Sequence, residues 1–368
     1  RDGKSSYSQS HPIAAGHPIT NILAISHKPK DPSMFVTMND KSGIPLGVTY
    51  GSLGVLGPSA ITDVAQSAEA AGYQSFWTVE ATGTDAFSLL GAVSQAAPGL
   101  DLATGIVPIQ FRGPSLTAMT AATLQALNPK RNVWIGLGVS AQGVLRQHGI
   151  QAPDRPIAMM REYVALLREC LSGEPVTFEG DFWQLRRFRL AIRPEERSPK
   201  IVIAALNPQM LKLGGEIADA VLLNYIPAPY VGEAAQHIRA GGNATIMSYV
   251  HAAVGDLSEV ARSARKDLFN YAMADGYANM FRSAGFGSEV DELRSRQAER
   301  DREGALASVT DRMIQDINFI GNQGEVADFV RSYIEAGVEY PILMPMPWGP
   351  DRRLVTELTL EAAAVAVS

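Results

Sequence analysis

One unit recurs eight times between Pro45 and the C-terminus: a short β-rich run, a loop, an amphipathic helix and usually a glycine. The predicted strands are 46–50, 75–79, 102–107, 133–138, 201–205, 220–223, 244–250 and 340–344. In the first helix, Ile61, Val64 and Ala68 share one face, and Gly72 is placed to end it. Strands that alternate with helices indicate an α/β protein with a parallel sheet, and eight such units are the number that closes a (β/α)8 TIM-like barrel. An open doubly wound sheet is the alternative.

Two segments are longer than the basic unit, so the predicted barrel has insertions after strands 4 and 7. Residues 139–199 contain a helix over 157–171 and then a hairpin that turns at Glu179-Gly180-Asp181. Residues 255–318 read as helical and carry many charges of both signs, a pattern typical of solvated helix faces. Because this second insertion would overhang the active-site end of a barrel, we hypothesise that it forms a lid over a substrate.

The barrel is predicted to be a single domain over residues 44–368, preceded by an extension over residues 1–43. The extension is rich in Ser, His, Pro and Lys and has no long apolar stretch, while Met34 and Met38 stand just before the first strand. We expect the extension to be poorly ordered or to be a remnant of cloning.

Composition argues against several classes of protein. The net charge is −6, with 32 basic and 38 acidic residues, which predicts no nucleic-acid partner. No apolar run reaches the roughly 18 residues that span a membrane, so we expect a cytoplasmic protein without a membrane partner. The only cysteine, Cys170, lies on an apolar helix face and is predicted to be a buried thiol. The six histidines are scattered, without H-E-x-x-H or a Cys/His cluster, so no metal site is predicted.

The segment Gly136–Ala141 follows a strand and matches the dinucleotide fingerprint G-x-G-x-x-A. It lies behind three strand–helix units, no helix is expected to begin directly after it, and no acidic strand end follows about 20 residues on. We therefore interpret the glycines as packing at a strand end inside a barrel, with an NAD(P)-binding Rossmann site as the alternative. Backbone N–H groups at this turn can still bind a phosphate.

The other candidate site residues follow the ends of predicted strands, where the catalytic groups of barrels lie. Glu80 follows strand two and could bind a cofactor ring or move a proton. In strand three, Thr104-Gly105-Ile106 holds a glycine of the kind that marks a bulge or a close backbone approach. The small residues and the asparagine after strand five suit an anion held by backbone amides, or equally a routine turn, and the residues concerned are Ala204, Ala205, Asn207, Gly214 and Gly215.

Seven segments, in this order, resemble the luciferase-like monooxygenase superfamily. They are 68–80, 102–108, 112–124, 135–140 with His148-Gly149, 178–183, 215–221 and 337–344. The segment around Gly136–Ser140 and the run Gly215-Glu-Ile-Ala-Asp219 are most similar to the branch that uses coenzyme F420, an 8-hydroxy-5-deazaflavin.

This resemblance implies a TIM-like barrel that holds the deazaflavin at the C-terminal ends of its strands. It implies a non-prolyl cis peptide at Gly105–Ile106 behind the ring, and a cofactor phosphate near Gly138, Val139 and Ser140 and near residues 207–215. It further implies a homodimer, although no exposed apolar stripe in the sequence establishes one. The implied function is an F420-dependent oxidoreductase that transfers hydride between deazaflavin C5 and a small organic substrate.

The chain departs from the pattern at Ala81, because several relatives have a histidine after the acidic residue of strand two, and in some it is catalytic. Other side chains that could face the pocket are His148, Asn224, Tyr225 and Trp348. An FMN-dependent monooxygenase on the same barrel and a non-catalytic cofactor-binding protein remain alternatives.

Overall fold

A computed structural model describes residues 43–192 and 197–368. The predicted N-terminal extension lies outside these residues, apart from Gly43. The strands of the described chain are β1 (Gly47–Thr49), β2 (Ser75–Thr78), β3 (Asp101–Thr104), β4 (Val107–Pro108), β5 (Val133–Gly138), β6 (Val176–Glu179), β7 (Gln184–Phe188), β8 (Lys200–Ala204), β9 (Ala220–Leu223), β10 (Thr245–Val254), β11 (Asn318–Gly321) and β12 (Tyr340–Pro345).

Nine of these strands fill the eight positions of a closed parallel barrel, because β3 and β4 share one position. The order around the barrel is β1, β2, β3 with β4, β5, β8, β9, β10 and β12. The barrel closes because β12 pairs in parallel with β1, with Gly47 opposite Ile342 and Val48 opposite Leu343. The (β/α)8 prediction is therefore confirmed, and the open doubly wound sheet is excluded.

Helices connect the strands around the outside of the barrel. The α-helices are α1 (Ile61–Ala70), α2 (Ala86–Ala96), α3 (Pro114–Leu127), α4 (Gln142–Gln147), α5 (Pro156–Leu171), α6 (Pro208–Ile217), α7 (Val231–Arg239), α8 (Leu257–Ala272), α9 (Asp275–Phe281), α10 (Gly287–Ala298), α11 (Arg302–Ala307), α12 (Asp311–Ile317), α13 (Gln323–Glu335) and α14 (Arg352–Val365). At the start of α13, Asn322 and Glu325 form a reciprocal capping box. Gly72 and Gly337 have φ values of 86° and 106°, which lets the chain leave α1 and α13 toward the next strand.

Both insertions lie where they were predicted. The first contains α4, α5 and the antiparallel hairpin β6–β7. The second contains α8 to α12 and then β11, a strand that was not predicted. β10 continues four residues beyond its predicted end because β11 pairs with residues His251–Val254. The expectation that no helix directly follows Gly136–Ala141 was wrong, since α4 begins at Gln142 with Ala141 as its N-cap residue.

The core is made of buried aliphatic and aromatic side chains on the barrel strands and the inner faces of the helices. Cys170 belongs to it, and burial raises the pKa of its thiol to about 11, as expected for a core thiol. Among the described residues, no helix is both long enough and apolar enough to span a membrane.

Candidate active site

The third barrel strand is interrupted at its C-terminal end, between β3 and β4, where the Gly105–Ile106 peptide is cis. The Gly105 N–H donates to the Thr78 carbonyl at 2.7 Å, and the Ile106 carbonyl accepts from the Glu80 N–H at 3.1 Å. We call residues 104–106 the bulge. The cis peptide lies at the position that the family resemblance implied.

Two glycines of β5 let that strand approach the bulge closely. A Cβ atom on Gly136 would overlap the Thr104 carbonyl oxygen, and one on Gly138 would lie 2.9 Å from Cδ1 of Ile106. The Thr104 hydroxyl accepts from the Gly136 N–H at 2.8 Å and donates to the Gly136 carbonyl at 3.0 Å. The G-x-G segment is thus explained by strand packing inside a closed barrel, and the Rossmann interpretation is not supported.

Tyr249 supports the bulge from the opposite side of the barrel. It lies on β10, and its fully buried hydroxyl donates to the Gly105 carbonyl at 2.7 Å. Its ring contacts Trp77 edge-on at 6.4 Å between centroids. Burial raises the pKa of this phenol, so Tyr249 remains a neutral donor. A side chain on residue 105 would collide with this hydroxyl, which explains the need for glycine there.

Glu80 follows β2 and is held by an arginine. Arg112 donates from Nη2 to Oε1 of Glu80 at 2.7 Å and from Nε to Oε2 at 3.3 Å, and it also pairs with Asp85. The Glu80 side chain is only 8% exposed. Burial alone would lower the pKa of the Arg112 guanidinium, but the hydrogen bond and the charge of Glu80 outweigh burial and raise it. The ion pair with Arg112 therefore fixes the position of the Glu80 side chain.

The turn after β5 presents free backbone groups, and the turn after β8 leads into α6. The N–H groups of Ser140 and Ala141 donate no hydrogen bond to any other described residue. Asn207 is the N-cap residue of α6, and its side chain does not cap the helix. Ala204 ends β8, and the Ala205 N–H donates to the Leu222 carbonyl.

Gly214 and Gly215 lie away from this turn, and their assignment to the cofactor site stays a prediction. They belong to the last turns of α6, roughly 10 Å along the helix from Asn207 at 1.5 Å per residue. A Cβ atom on Gly214 would press on Val221, and one on Gly215 would overlap the Ile238 carbonyl oxygen. Both glycines allow α6 to pack closely on β9 and α7.

A buried polar and aromatic cluster lies over the ends of β9 and β10. Tyr225 donates to Oδ2 of Asp267 at 2.9 Å, and Asn318 donates to the same oxygen at 2.8 Å. Asn224 donates to the Tyr277 hydroxyl at 2.7 Å. Because Asp267 and Tyr277 come from α8 and α9, the second insertion packs over this side of the strand ends. Sequence reasoning noted Asn224 and Tyr225 but missed the other three residues.

Comparison with known proteins agrees with this geometry. The family model of luciferase-like monooxygenases matches residues 38–340. The chain belongs to the luciferase-like monooxygenase family. It is 25% identical over 305 residues to the 5,10-methylenetetrahydromethanopterin reductase of Archaeoglobus fulgidus, which covers 79% of this chain and 90% of that protein.

Two solved structures share the fold of this luciferase-like protein. The coenzyme F420 dependent tetrahydromethanopterin reductase of Methanopyrus kandleri superimposes with a TM-score of 0.75 at 21% identity, over 88% of this chain and 98% of that one. An F420-dependent secondary alcohol dehydrogenase, solved in complex with an F420-acetone adduct, gives a TM-score of 0.68 at 18% identity, over 88% and 99% of the two chains.

Within the luciferase-like barrel, His148 lies near Ala81, the residue that follows Glu80 and that the family resemblance would place as a histidine. Its Nε2 is 2.6 Å from the Ala81 carbonyl oxygen, and its ring lies 4.2 Å from that of Phe111 between centroids. His148 is exposed, so it packs against the outside of this loop. Trp348 is partly buried against the core.

A cavity of about 430 Å³ opens between the segment after β4 and the turn of the hairpin β6–β7. Arg112, Phe182 and Trp183 line it together with Gln110. The amide nitrogen and oxygen of Gln110 are buried and have no partner among the described residues. No group of three or more His, Cys, Asp or Glu side chains in residues 43–192 and 197–368 is arranged to hold a metal ion.

Proposed function

We propose that this protein is an F420-dependent oxidoreductase, in which the bound deazaflavin exchanges hydride at C5 with a small organic substrate. The bulge at residues 104–106 is the observation that carries the proposal, because Gly105 has no side chain and its carbonyl faces Tyr249 inside the barrel. The F420 dependence of two structural neighbours and the match to a methylenetetrahydromethanopterin reductase support the choice of cofactor.

The residues present fit a flat polar ring. Gly105 has no side chain, and its carbonyl is held by Tyr249, so the bulge offers a rigid surface for one ring face. The Gln110 amide needs partners that the described protein does not supply, and a ring edge with carbonyl and N–H groups has the matching chemistry. Glu80, fixed by Arg112, would accept a hydrogen bond from the ring or from its hydroxyl group.

The turn after β5 fits the phosphate of the cofactor. The backbone N–H groups of Ser140 and Ala141 are free to donate, together with that of Val139, if the cofactor phosphate lies over this turn. Asn207 would add a side-chain donor from the start of α6. These groups position the cofactor, and the hydride chemistry belongs to the cofactor itself.

We further propose that the protein is a homodimer. One face of α3 exposes an apolar stripe in which Leu116, Met119 and Leu127 are 46%, 50% and 49% exposed. Three large apolar side chains on one helix face favour burial against another protein surface. A second copy of the chain is the proposed partner.

Fluorescence titration tests the cofactor. The sequence has four tryptophans, and the Trp77 ring lies beside Gly105, where a bound ring would quench it. We expect F420 to quench the emission saturably and FMN to have little effect. Trp77→Phe should remove the largest part of the quenching. Trp134→Phe should retain it, because Trp134 is the second residue of β5, at the opposite end of the barrel.

Quenching by FMN without quenching by F420 would refute the proposal in favour of a flavin monooxygenase. Turnover is followed by the absorbance of F420 in the presence of a panel of alcohols, ketones and reduced pterins. Tight F420 binding without any turnover over the panel would favour a non-catalytic cofactor-binding protein.

A further inference from the structure

The cavity of about 430 Å³ has both apolar and aromatic walls. Ile109, Ile150 and Met159 supply its apolar surface, and two aromatic rings, Phe182 and Trp183, line it from the turn of the β6–β7 hairpin. Pockets of about 300–1,000 Å³ with apolar and aromatic walls and a few polar groups are typical sites for small organic molecules. This cavity, which we call the side cavity, has the size and the lining of such a site.

The aromatic wall of the side cavity is held in place by α5. The carboxylate of Glu162 accepts hydrogen bonds from three consecutive backbone N–H groups, those of residues 181–183, at 2.8, 2.9 and 2.8 Å. The Trp183 ring also contacts Tyr163 edge-on, with centroids 5.1 Å apart. Because this wall is already fixed, a ligand would lose little affinity to ordering it.

Negative charge exceeds positive charge around the side cavity. Both arginines that line it are already paired, Arg112 with the two carboxylates described above and Arg155 with Asp181 at 3.0 Å. Asp154 also lines the cavity, and it has no ion pair within residues 43–192 and 197–368. Two arginines against four carboxylates leave these side chains with a formal charge of −2. Such a site attracts a cation and repels an anion.

The aromatic rings favour a cation as well. The guanidinium carbon of Arg155 lies 5.0 Å from the centroid of the Phe182 ring, so this ring already binds one positive charge. A tryptophan ring attracts a cation more strongly than a phenylalanine ring does, and no cation of the described chain lies over Trp183. An aromatic ligand would gain further from offset or edge-on contacts with the two rings.

We propose that the side cavity binds the substrate of the enzyme, and that this substrate has a flat aromatic group and a positive charge, as a protonated arylalkyl amine has. The ammonium group would pair with Asp154, while the aromatic group would lie against Phe182 and Trp183. Gln110 and Arg112 line the same cavity and support the proposed cofactor site, which places the substrate beside the cofactor. The inference rests on the proposed function in naming the ligand a substrate, whereas the binding itself needs no cofactor.

Three ligands that differ chiefly in charge test this inference. At pH 7, 4-nitrobenzylamine is a cation, 4-nitrobenzyl alcohol is neutral and 4-nitrobenzoate is an anion. Their nitroaromatic ring quenches tryptophan emission, so each is titrated into the full chain without F420. We expect the amine to bind about tenfold more tightly than the alcohol, and the benzoate to bind most weakly. Trp183→Phe should remove the largest part of the quenching, and Trp134→Phe on β5 should retain it.

Asp154→Asn tests the carboxylate while keeping the size of the side chain. The affinity for the amine should fall about threefold, the size of an exposed ion pair, and the affinity for the alcohol should stay the same. Glu335→Gln is the control, because it removes the same charge from an exposed residue at the end of α13 that does not line the cavity. It should change neither affinity.

Equal affinities for the amine and the alcohol, tighter binding of the benzoate, or an amine affinity unchanged in Asp154→Asn would each overturn the inference. Quenching that survives in Trp183→Phe would also overturn it, since the ligand would then lie elsewhere. The amine should still bind when F420 is present at saturation, and its displacement by F420 would assign the cavity to the cofactor instead. If the amine binds as expected but F420 does not bind, the proposed function fails while the ligand preference of the side cavity stands.

Discussion

The hydrogen bond from Tyr249 to the bulge can be tested against a matched bond elsewhere in the molecule. Tyr73 is also buried, and its hydroxyl donates to the Leu360 carbonyl at 2.9 Å, near the start of β2 and so at the far end of the barrel from the bulge. Replacement of either tyrosine by phenylalanine removes one buried hydrogen bond. The Leu360 carbonyl keeps its helical bond within α14, so Tyr73→Phe should cost about 0.5–1.5 kcal/mol of stability. Tyr249→Phe leaves the Gly105 carbonyl without this partner and should cost about 1–3 kcal/mol.

Both variants should therefore melt a few degrees below the wild type in a thermal denaturation experiment, at roughly 2 °C per kcal/mol for a chain of this size. Their effects on the cofactor should differ. Tyr249→Phe frees the Gly105 carbonyl and lets the bulge shift, so the dissociation constant of F420 should rise by about tenfold, equivalent to about 1.4 kcal/mol. Tyr73→Phe should change that constant by less than about twofold. Equal F420 affinities in the two variants would refute the reasoning that Tyr249 positions the cofactor surface.

Three further changes test the packing, the electrostatics and the assembly. Gly136→Ala should lower the free energy of unfolding by about 1–3 kcal/mol and weaken F420 binding, because the added Cβ atom meets the Thr104 carbonyl. The control is Gly91→Ala on α2, where the added Cβ atom meets nothing and stability should rise slightly. Equal melting temperatures of the two variants would contradict this. Burial raises the pKa of Asp267 to about 6, so its contribution to stability is present below about pH 4 and is lost as the pH rises through 6. The melting temperature of Asp267→Asn should therefore exceed that of the wild type by an amount that grows from pH 4.5 to pH 7.5. A constant difference would argue against the buried carboxylate. Met119→Glu should convert the proposed dimer into a monomer, as measured by sedimentation velocity. The control Met273→Glu, at a methionine that is 42% exposed at the end of α8, should leave the dimer unchanged. A wild type that sediments as a monomer would refute the dimer.

The barrel could be predicted from the sequence because each of its units is local. The predicted strands 133–138 and 220–223 coincide with β5 and β9, since a short apolar run between turn residues defines each of them. β11 was missed because its four residues follow α12 without a turn and become a strand only by pairing with β10. The same pairing lengthens β10, so both errors have one cause in contacts between segments that are distant in the sequence.

The part of the candidate site that is formed by the backbone could be predicted from the sequence. The glycine within strand three pointed to the bulge, while the cis peptide itself came from the family resemblance. The partners of the site residues were not predictable, because Arg112 lies 32 residues from Glu80 in the chain and Tyr249 lies 144 residues from Gly105. In the sequence Tyr249 looks like an ordinary core residue of an apolar strand, and only barrel closure brings it to the bulge. Gly214 and Gly215 allow close helix packing, and the sequence alone does not distinguish such glycines from glycines beside a phosphate.

The second insertion leaves the barrel from the end of β10 and returns as β11 alongside that same strand. Its two ends are therefore held about 4.8 Å apart by one ladder of backbone hydrogen bonds, whatever lies between them. A chain segment with neighbouring ends can be lengthened, shortened or exchanged at little entropic cost to the scaffold that holds it. Transplanting residues 255–321 between relatives therefore tests whether this insertion carries the substrate preference of the proposed enzyme, since the barrel strands stay unchanged.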